Sequence, residues 1–428
     1  MLGQSHIYEL RLYDQTLLSF VWQPDARDAC GVHTLSLDEG AIALLPSTLT
    51  IDQRGEAIAS WLASRVLPGS RAYADAIAGC RDLALDDLRG IVDASKVLSV
   101  NDAYWVVPEG FDGRWRDFNL YENSLDGSLA RVAFTGQSVA CAPGRALGHR
   151  GGPAPSPEWT TMGTFPKAWR RVDGRLVLYK ATNPLYDGVA NPDHSVWSEY
   201  LASQVAEAIG VSHASYGLDL WEGRVASTCA LINDVTTALV PYHMASNNLG
   251  YENVLATYAR MGDSWLEAGL DMFMFDALVC NTDRHASNFS VLRDNRTGEW
   301  LAPAPLFDHN LSLFPTDMPA DFGGWPHRAE TLCPRGATVT FDSVMGQVCL
   351  PRHVEWARRL VDFEFENHPA HPIEAPRLDA LNRFVQAQAR RILGKRPRDL
   401  DAIRRGLPPA LDVEGSPVLA GPRLSVRA

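Results

Sequence analysis

Asn281-Thr-Asp-Arg-His-Ala-Ser-Asn-Phe-Ser-Val-Leu292, followed by Leu306-Phe-Asp-His-Asn310, decides how the rest of this chain is read. The first stretch sets a carboxylate, Asp283, five residues ahead of an amide, Asn288, on a short loop that enters a strand over 289–292. A second carboxylate, Asp308, comes 20 residues after Asn288 in a proline-rich, loop-like setting. Phosphoryl transfer to a hydroxyl needs these groups in this order: a carboxylate to orient and deprotonate the acceptor, then an amide oxygen and a second carboxylate for magnesium. Hard cations take oxygen ligands, and one amide with one carboxylate leaves the rest of the shell to phosphate oxygens. An Asp-x-His loop taken alone is commonly just a turn, because Asx residues favour turns for local reasons. The downstream acid, an upstream lysine and their order tip the reading toward catalysis.

That lysine is Lys180, at the end of Gly174-Arg-Leu-Val-Leu-Tyr-Lys180. The apolar run is bounded by Asp173-Gly174 and Asn183-Pro184, which predicts a strand. A lysine ending a buried strand directs its ammonium to an anion, and phosphates fit this context; the bland reading is a solvated strand end. Before it, Thr160-Thr-Met-Gly-Thr-Phe-Pro-Lys167 is the candidate loop over the phosphates. It has one glycine and is not a Walker A sequence. After Lys180, the residues Val196, Trp197, Tyr200, Leu201, Val205, Ala208 and Ile209 recur at helical spacing, with Gly210 as the stop. Glu199 in that helix either pairs with Lys180 or is a first-turn acid favoured by the helix dipole. Segments 216–220 and 225–232 read as a hairpin turned at Glu222-Gly223, leading into a hinge over 229–233.

With these residues in view, the chain resembles the HipA-like kinases, whose fold is a variant of the protein kinase fold. The family's Asp-x-His-x-x-Asn-Phe-Ser is matched by Asp283-Arg284-His285-Ala286-Ser287-Asn288-Phe289-Ser290, and its Phe/Tyr-Asp element by Phe307-Asp308. The resemblance extends over residues 140–400. It implies Asp283 as catalytic base, Asn288 and Asp308 as magnesium ligands, and His285 as an ATP contact alongside Lys180 and Glu199. It implies ATP and Mg2+ as cofactors, a serine/threonine protein kinase acting on a protein substrate, and an antitoxin protein partner in a toxin–antitoxin pair. It also implies an inactivating autophosphorylation in the phosphate-covering loop. Ser156, Thr160, Thr161 and Thr164 gather there beside Lys167, Arg170 and Arg171.

The expected fold is α+β: a two-lobed protein-kinase-like (HipA-like) fold with an additional N-terminal α+β module. The module takes residues 1–140, a Pro/Gly-rich linker 141–158, the N-lobe 159–240, the helical C-lobe 241–405 and a mobile tail 406–428. Two other readings stay open. A small-molecule or lipid kinase would carry the same catalytic loop, and an enclosed acceptor pocket would favour it over the open groove a protein acceptor needs. A catalytically silent kinase-fold binding module would not need the full set of Lys180, Asp283, Asn288 and Asp308.

Composition agrees with a globular protein of two to three domains: 428 residues, 46% hydrophobic and 21% charged. A formal net charge of −12 argues against direct nucleic acid binding by broad electrostatics. Seven cysteines without Cys-x-x-Cys spacing read as reduced thiols and a cytoplasmic protein. No apolar run is long enough for a membrane span, and the first residues do not read as a signal peptide. In the N-terminal module, 7–12, 17–22 and 98–107 read as strands, and 54–80, broken at Pro68-Gly69, as helix that 83–92 continues. Trp105, Trp115, Phe118 and Tyr121 read as core rather than as a binding surface. Helices are expected over 266–279, feeding the catalytic loop, and over 354–365 and 377–393.

Overall fold

Alternation of apolar and polar residues from His6 onward builds the first sheet. Tyr8, Leu10 and Leu12 point inward while Ile7, Glu9 and Arg11 lie between them. The structure, a computed structural model, describes residues 6–23, 31–50, 52–137, 155–186, 193–247 and 249–409. The expected linker up to 154 and the expected tail from 410 lie outside the described residues.

The first sheet is antiparallel, in the order β3-β2-β1-β4, from β1 (His6–Leu12), β2 (Gln15–Trp22), β3 (Val32–Leu37) and β4 (Tyr104–Pro108). Helices α1 (Gly55–Ser64), α2 (Ala74–Gly79), α3 (Leu88–Ser95) and α4 (Gly127–Thr135) complete this part. The break expected at Pro68-Gly69 is wider, from Arg65 to Tyr73, and the helix expected over 83–92 starts only at Leu88. Trp105 and Trp115 are buried, and Phe118 and Tyr121 pack against them.

The second sheet runs β5-β6-β8-β7, from β5 (Lys167–Val172), β6 (Arg175–Ala181), β7 (Tyr216–Trp221) and β8 (Arg224–Ala230), with α5 (Ser195–Ile209) between β6 and β7. Each hairpin turns on a residue pair at positive φ, Asp173-Gly174 and Glu222-Gly223, which matches the twist of the flanking strands.

The rest is mainly helical. It holds α6 (Tyr242–Ala245), α7 (Tyr251–Met261), α8 (Asp263–Val279), α9 (Phe341–Val348), α10 (Pro351–Leu360), α11 (Ala375–Leu393) and α12 (Leu400–Gly406). A small sheet, β9 (Thr237–Pro241), β10 (Ser290–Asp294) and β11 (Trp300–Pro303), is ordered β11-β10-β9. The helix expected over 354–365 instead starts at Pro351, where proline's missing N–H costs nothing, and ends at Leu360. None of the helices is long and apolar enough to cross a membrane among the described residues.

Two cores result. Leu10, Phe20, Trp22 and Trp105 of the first sheet share one with Trp169, Tyr179 and Ala226 of the second. Leu201, Ala202 and Val205 of α5 join α8, α9 and α11 in the other. The end of the expected linker is buried rather than extended in solvent. Ser156, Pro157 and Glu158 are buried, and Glu158 forms an ion pair with Arg71 in which neither side chain is exposed. Such a buried pair fixes geometry more than it stabilises. Here Arg71 also donates to the carbonyl of Lys167 at 2.9 Å, tying the start of β5 to the N-terminal part.

Candidate active site

One row across the second sheet carries Lys167, Lys180 and Ser227, paired strand to strand in register. Like charges directly opposite destabilise a sheet, so two lysines in that row require anions nearby. Glu199 is one: Lys180 Nζ lies 2.8 Å from its Oε1, and Ser227 donates its hydroxyl to Oε2. Glu199 is 1% exposed, which decides between the two readings of that acid; it faces the lysine and not solvent. Asp308 is the other anion, with Oδ1 2.5 Å from Lys180 Nζ.

The electrostatics follow from this triad. Burial would push the Lys180 ammonium down, but Asp308 and Glu199 outweigh it and hold the group above its ordinary pKa. Burial likewise works against the Asp308 carboxylate, yet Lys180 and Lys167 hold it well below the usual range. Glu199 is raised by burial, against the attraction of Lys180. Lys167 is lowered to about 8, by burial first and then by its neighbour Lys180. Phe165 lies with its ring 5.4 Å from Lys180 Nζ, and Gly163, at φ +98°, sits where a Cβ would strike the ammonium of Lys167. The single glycine of the 160–167 loop therefore has a steric reason.

The residues of the 281–290 loop are placed by α8 and by what it buries. From Met272 to Val279 this helix is buried on every side, as expected for a segment enclosed by the core, and its one deeply buried acid is Asp276. Cys280, at φ +50°, ends the helix and turns the chain into the loop. Arg284 then folds back onto Asp276 through two hydrogen bonds of 2.8 and 2.9 Å. The same guanidinium donates to the carbonyls of Asn288 and, at 2.9 Å, of Phe307. Its Nη2 lies 2.8 Å from His309 Nε2; burial, then Arg284, holds that imidazole well below its ordinary pKa, so it is neutral and accepts. One buried cation thus fixes the backbone beside both Asn288 and Asp308.

Within the loop, Asn288 Nδ2 donates to the Asp283 carbonyl at 2.9 Å and approaches its Oδ2 at 3.3 Å. This commits the amide nitrogen and leaves Asn288 Oδ1 without a hydrogen bond to the described residues. Asp308 Oδ2 is free in the same sense, because Lys180 holds Oδ1. Asp308 itself stands at φ +59°, with its N–H donated to the Tyr216 hydroxyl at 3.1 Å. One amide oxygen and one carboxylate oxygen of this kind suit a small divalent cation that takes its remaining ligands from phosphates and water. His285 Nε2 lies 4.0 Å from Asp283 Oδ2, and its Nδ1 accepts the Ser287 N–H at 3.2 Å. Burial lowers the His285 pKa, against the attraction of Asp283.

Lys180, Glu199 and Asp308 are brought together, as are Asp283, His285 and Asn288, and Arg284 links the two groups. The hinge residue Asn233 instead serves the scaffold, donating to the carbonyls of Val100 at 2.9 Å and Thr237 at 3.1 Å. Of the hydroxyls considered for phosphorylation, Ser156 caps a turn and is buried, and Thr160 is buried with its hydroxyl on the Leu98 carbonyl. Thr161 donates to the Pro157 carbonyl, while Thr164 is exposed. Arg170 and Arg171 do not serve this loop. Arg170 stacks on Tyr179 and Trp221, and Arg171 donates to Leu120 and Asn123 carbonyls. The sequence placed Lys167 only beside the loop hydroxyls, not opposite Lys180, and marked no role for Asp276, Arg284 or Arg335, whose guanidinium pairs with Asp283 Oδ1.

No family model matches the sequence, and no curated protein matches it. Among solved structures, 22 chains match. One is HipA of Shewanella oneidensis MR-1, solved with HipB and operator DNA; it is 12% identical, with a TM-score of 0.52, over 93% of this chain and 99% of that one. The chain has the HipA fold. The Helicobacter pylori proinflammatory kinase CtkA is 15% identical over 56% of this chain and 93% of that one, with a TM-score of 0.38. The HipA-like fold spans the first sheet as well as the two lobes, since the match covers nearly the whole chain.

Proposed function

We propose that this protein is an ATP- and Mg2+-dependent kinase that phosphorylates a serine or threonine hydroxyl of a protein. The observation that carries the reading is the Lys180–Glu199–Asp308 triad, joined by Arg284 to the loop of Asp283 and Asn288. Lysine and glutamate in contact, with the second acid in place, is the arrangement phosphoryl transfer requires.

In this reading Lys180 and Lys167 receive the ATP phosphates, and Glu199 orients Lys180. Asn288 Oδ1 and Asp308 Oδ2 would hold Mg2+, which supplies charge neutralisation on the phosphate oxygens when bound. His285 contacts the nucleotide beside Asp283. Asp283 accepts the proton of the acceptor hydroxyl as its oxygen bonds to the γ-phosphorus and the bond to ADP breaks. A protein acceptor is favoured because, among the described residues, only one side chain, that of Arg335, covers the Asp283 carboxylate from the solvent side: Arg335 is 57% exposed and Asp283 beneath it 19%.

An antitoxin partner and cytoplasmic location belong to the same proposal, by analogy with a HipA that was solved with HipB. So does an inactivating autophosphorylation, for which exposed Thr164 is better placed than buried Ser156 or Thr160. Calorimetric titration with ATP tests the core of the reading. Binding that requires Mg2+ is expected; the absence of any Mg2+-dependent binding leaves only the silent binding module.

A further inference from the structure

The Asp283 carboxylate is already engaged on both oxygens. Oδ2 lies 3.3 Å from Asn288 Nδ2 and 4.0 Å from His285 Nε2, both within its own loop. Oδ1 is held by Arg335, from 52 residues further along the chain. Arg335 sits at the tip of a turn in which the Ala337 N–H donates to the Pro334 carbonyl at 3.0 Å and Gly336 stands at φ +72°, the geometry of a type II turn. Pro334 is buried and Val339 packs on the helical core, so both flanks of the tip are anchored. The guanidinium itself stays largely in solvent, and its contact with Asp283 is the one polar contact it makes with the described residues.

We propose that Arg335 is a specificity-determining residue on the acceptor side. It covers the oxygen of the base that must receive the hydroxyl proton. Water is thereby kept from being activated against bound ATP, and an acceptor docked beside Asp283 gains the base by displacing the guanidinium. This rests on the reading of Asp283 as the base. The reaction suppressed is hydrolysis: water oxygen bonds to the γ-phosphorus, the bond to the ADP oxygen breaks, the proton goes to Asp283, and the products are ADP and phosphate. Exposed ion pairs are weak and screened by salt. That suits a cover which disfavours water yet yields to an acceptor with contacts elsewhere.

The test is ADP release by the full chain at saturating Mg-ATP without acceptor, comparing the parent with Arg335→Ala and Arg335→Lys. Removal of one exposed pair is expected to raise the rate roughly two- to fivefold, with the lysine variant between. The parent rate should also rise with ionic strength as the screening length falls from about 10 Å at 0.1 M toward about 3 Å at 1 M, while Arg335→Ala responds less. A merely structural arginine would not produce that difference in salt response. An alanine variant no faster than the parent overturns the proposal, and a slower one would show the guanidinium assisting the transferring phosphoryl group instead. Parallel salt responses overturn it as well. Mg-ATP affinity is measured alongside: a parent that binds no Mg-ATP removes the assignment of the base and the cover with it, whereas normal binding with unchanged hydrolysis removes the cover alone.

Discussion

Lys180 Nζ lies between two carboxylates, 2.5 Å from Asp308 across 128 positions of sequence and 2.8 Å from Glu199 on α5. Removing a buried cation from such a group leaves its partners uncompensated, which is worse than never having built the pair. Lys180→Met is therefore expected to destabilise the fold by about 3 kcal/mol, read by denaturant unfolding, and to abolish Mg-ATP binding. A variant as stable as the parent would mean that Glu199 and Asp308 do not depend on Lys180 for compensation.

Asp283→Ala should eliminate phosphoryl transfer while Mg-ATP binding stays within a few-fold of the parent, since the base meets the acceptor and not the nucleotide. Calorimetry and label transfer on the same preparation separate the two. Lost binding with normal turnover per bound ATP would show that the role is misassigned.

Asp308→Asn should weaken Mg2+-dependent nucleotide binding more than Asn288→Ala. It removes a formal charge that Lys180 and Lys167 hold ionised, whereas Asn288 offers a neutral oxygen. Titration of Mg2+ at fixed ATP checks the order, and equal binding by both variants and the parent would reduce them to loop residues.

Lys167 gives a pH dependence. Burial and Lys180 bring its pKa down to about 8, so it is charged below that pH and neutral above it. Bound phosphates favour the ammonium, so binding above pH 8 takes up a proton and affinity falls as pH rises. The expected slope approaches about tenfold per pH unit, and Lys167→Met should flatten it. A parent whose affinity is level from about pH 7 to 9 contradicts this.

Arg284→Ala should cost about 3–5 kcal/mol, because it strands Asp276 in the core. Arg284→Lys keeps a charge but not the fork that reaches Asp276, Asn288, Phe307 and His309 together. It should stay folded, as read by thermal melting, and lose Mg2+ affinity.

How much of this was legible in the sequence depended on whether a residue's role is local. Asp283, Asn288 and Asp308 lie in short segments whose order pointed to the proposed chemistry, and Lys180 ends a strand whose bounding turns are plain. Glu199 was ambiguous because helical position alone does not tell which face meets the second sheet. Arg284 stood inside the motif, but nothing local marks it as buried. The signal that could have found it is Asp276, a lone acid in the apolar run from Met272 to Val279, which demands a cationic partner. Lys167 escaped because β5 begins there, on a strand defined by its pairing with β6. Arg335 could not be reached at all, since its contact joins loops 52 residues apart. The short strands β9 and β11 were missed for the same reason, being specified by β10 between them more than by their own pattern.

Phosphoryl transfer through Asp283 is read out by γ-labelled ATP with Mg2+ and a cell lysate. Label should pass to a protein band on serine or threonine with the parent chain, and no band should gain label with Asp283→Asn at equal Mg-ATP occupancy. Label that appears equally with both chains, or with neither while Mg-ATP is bound, contradicts it.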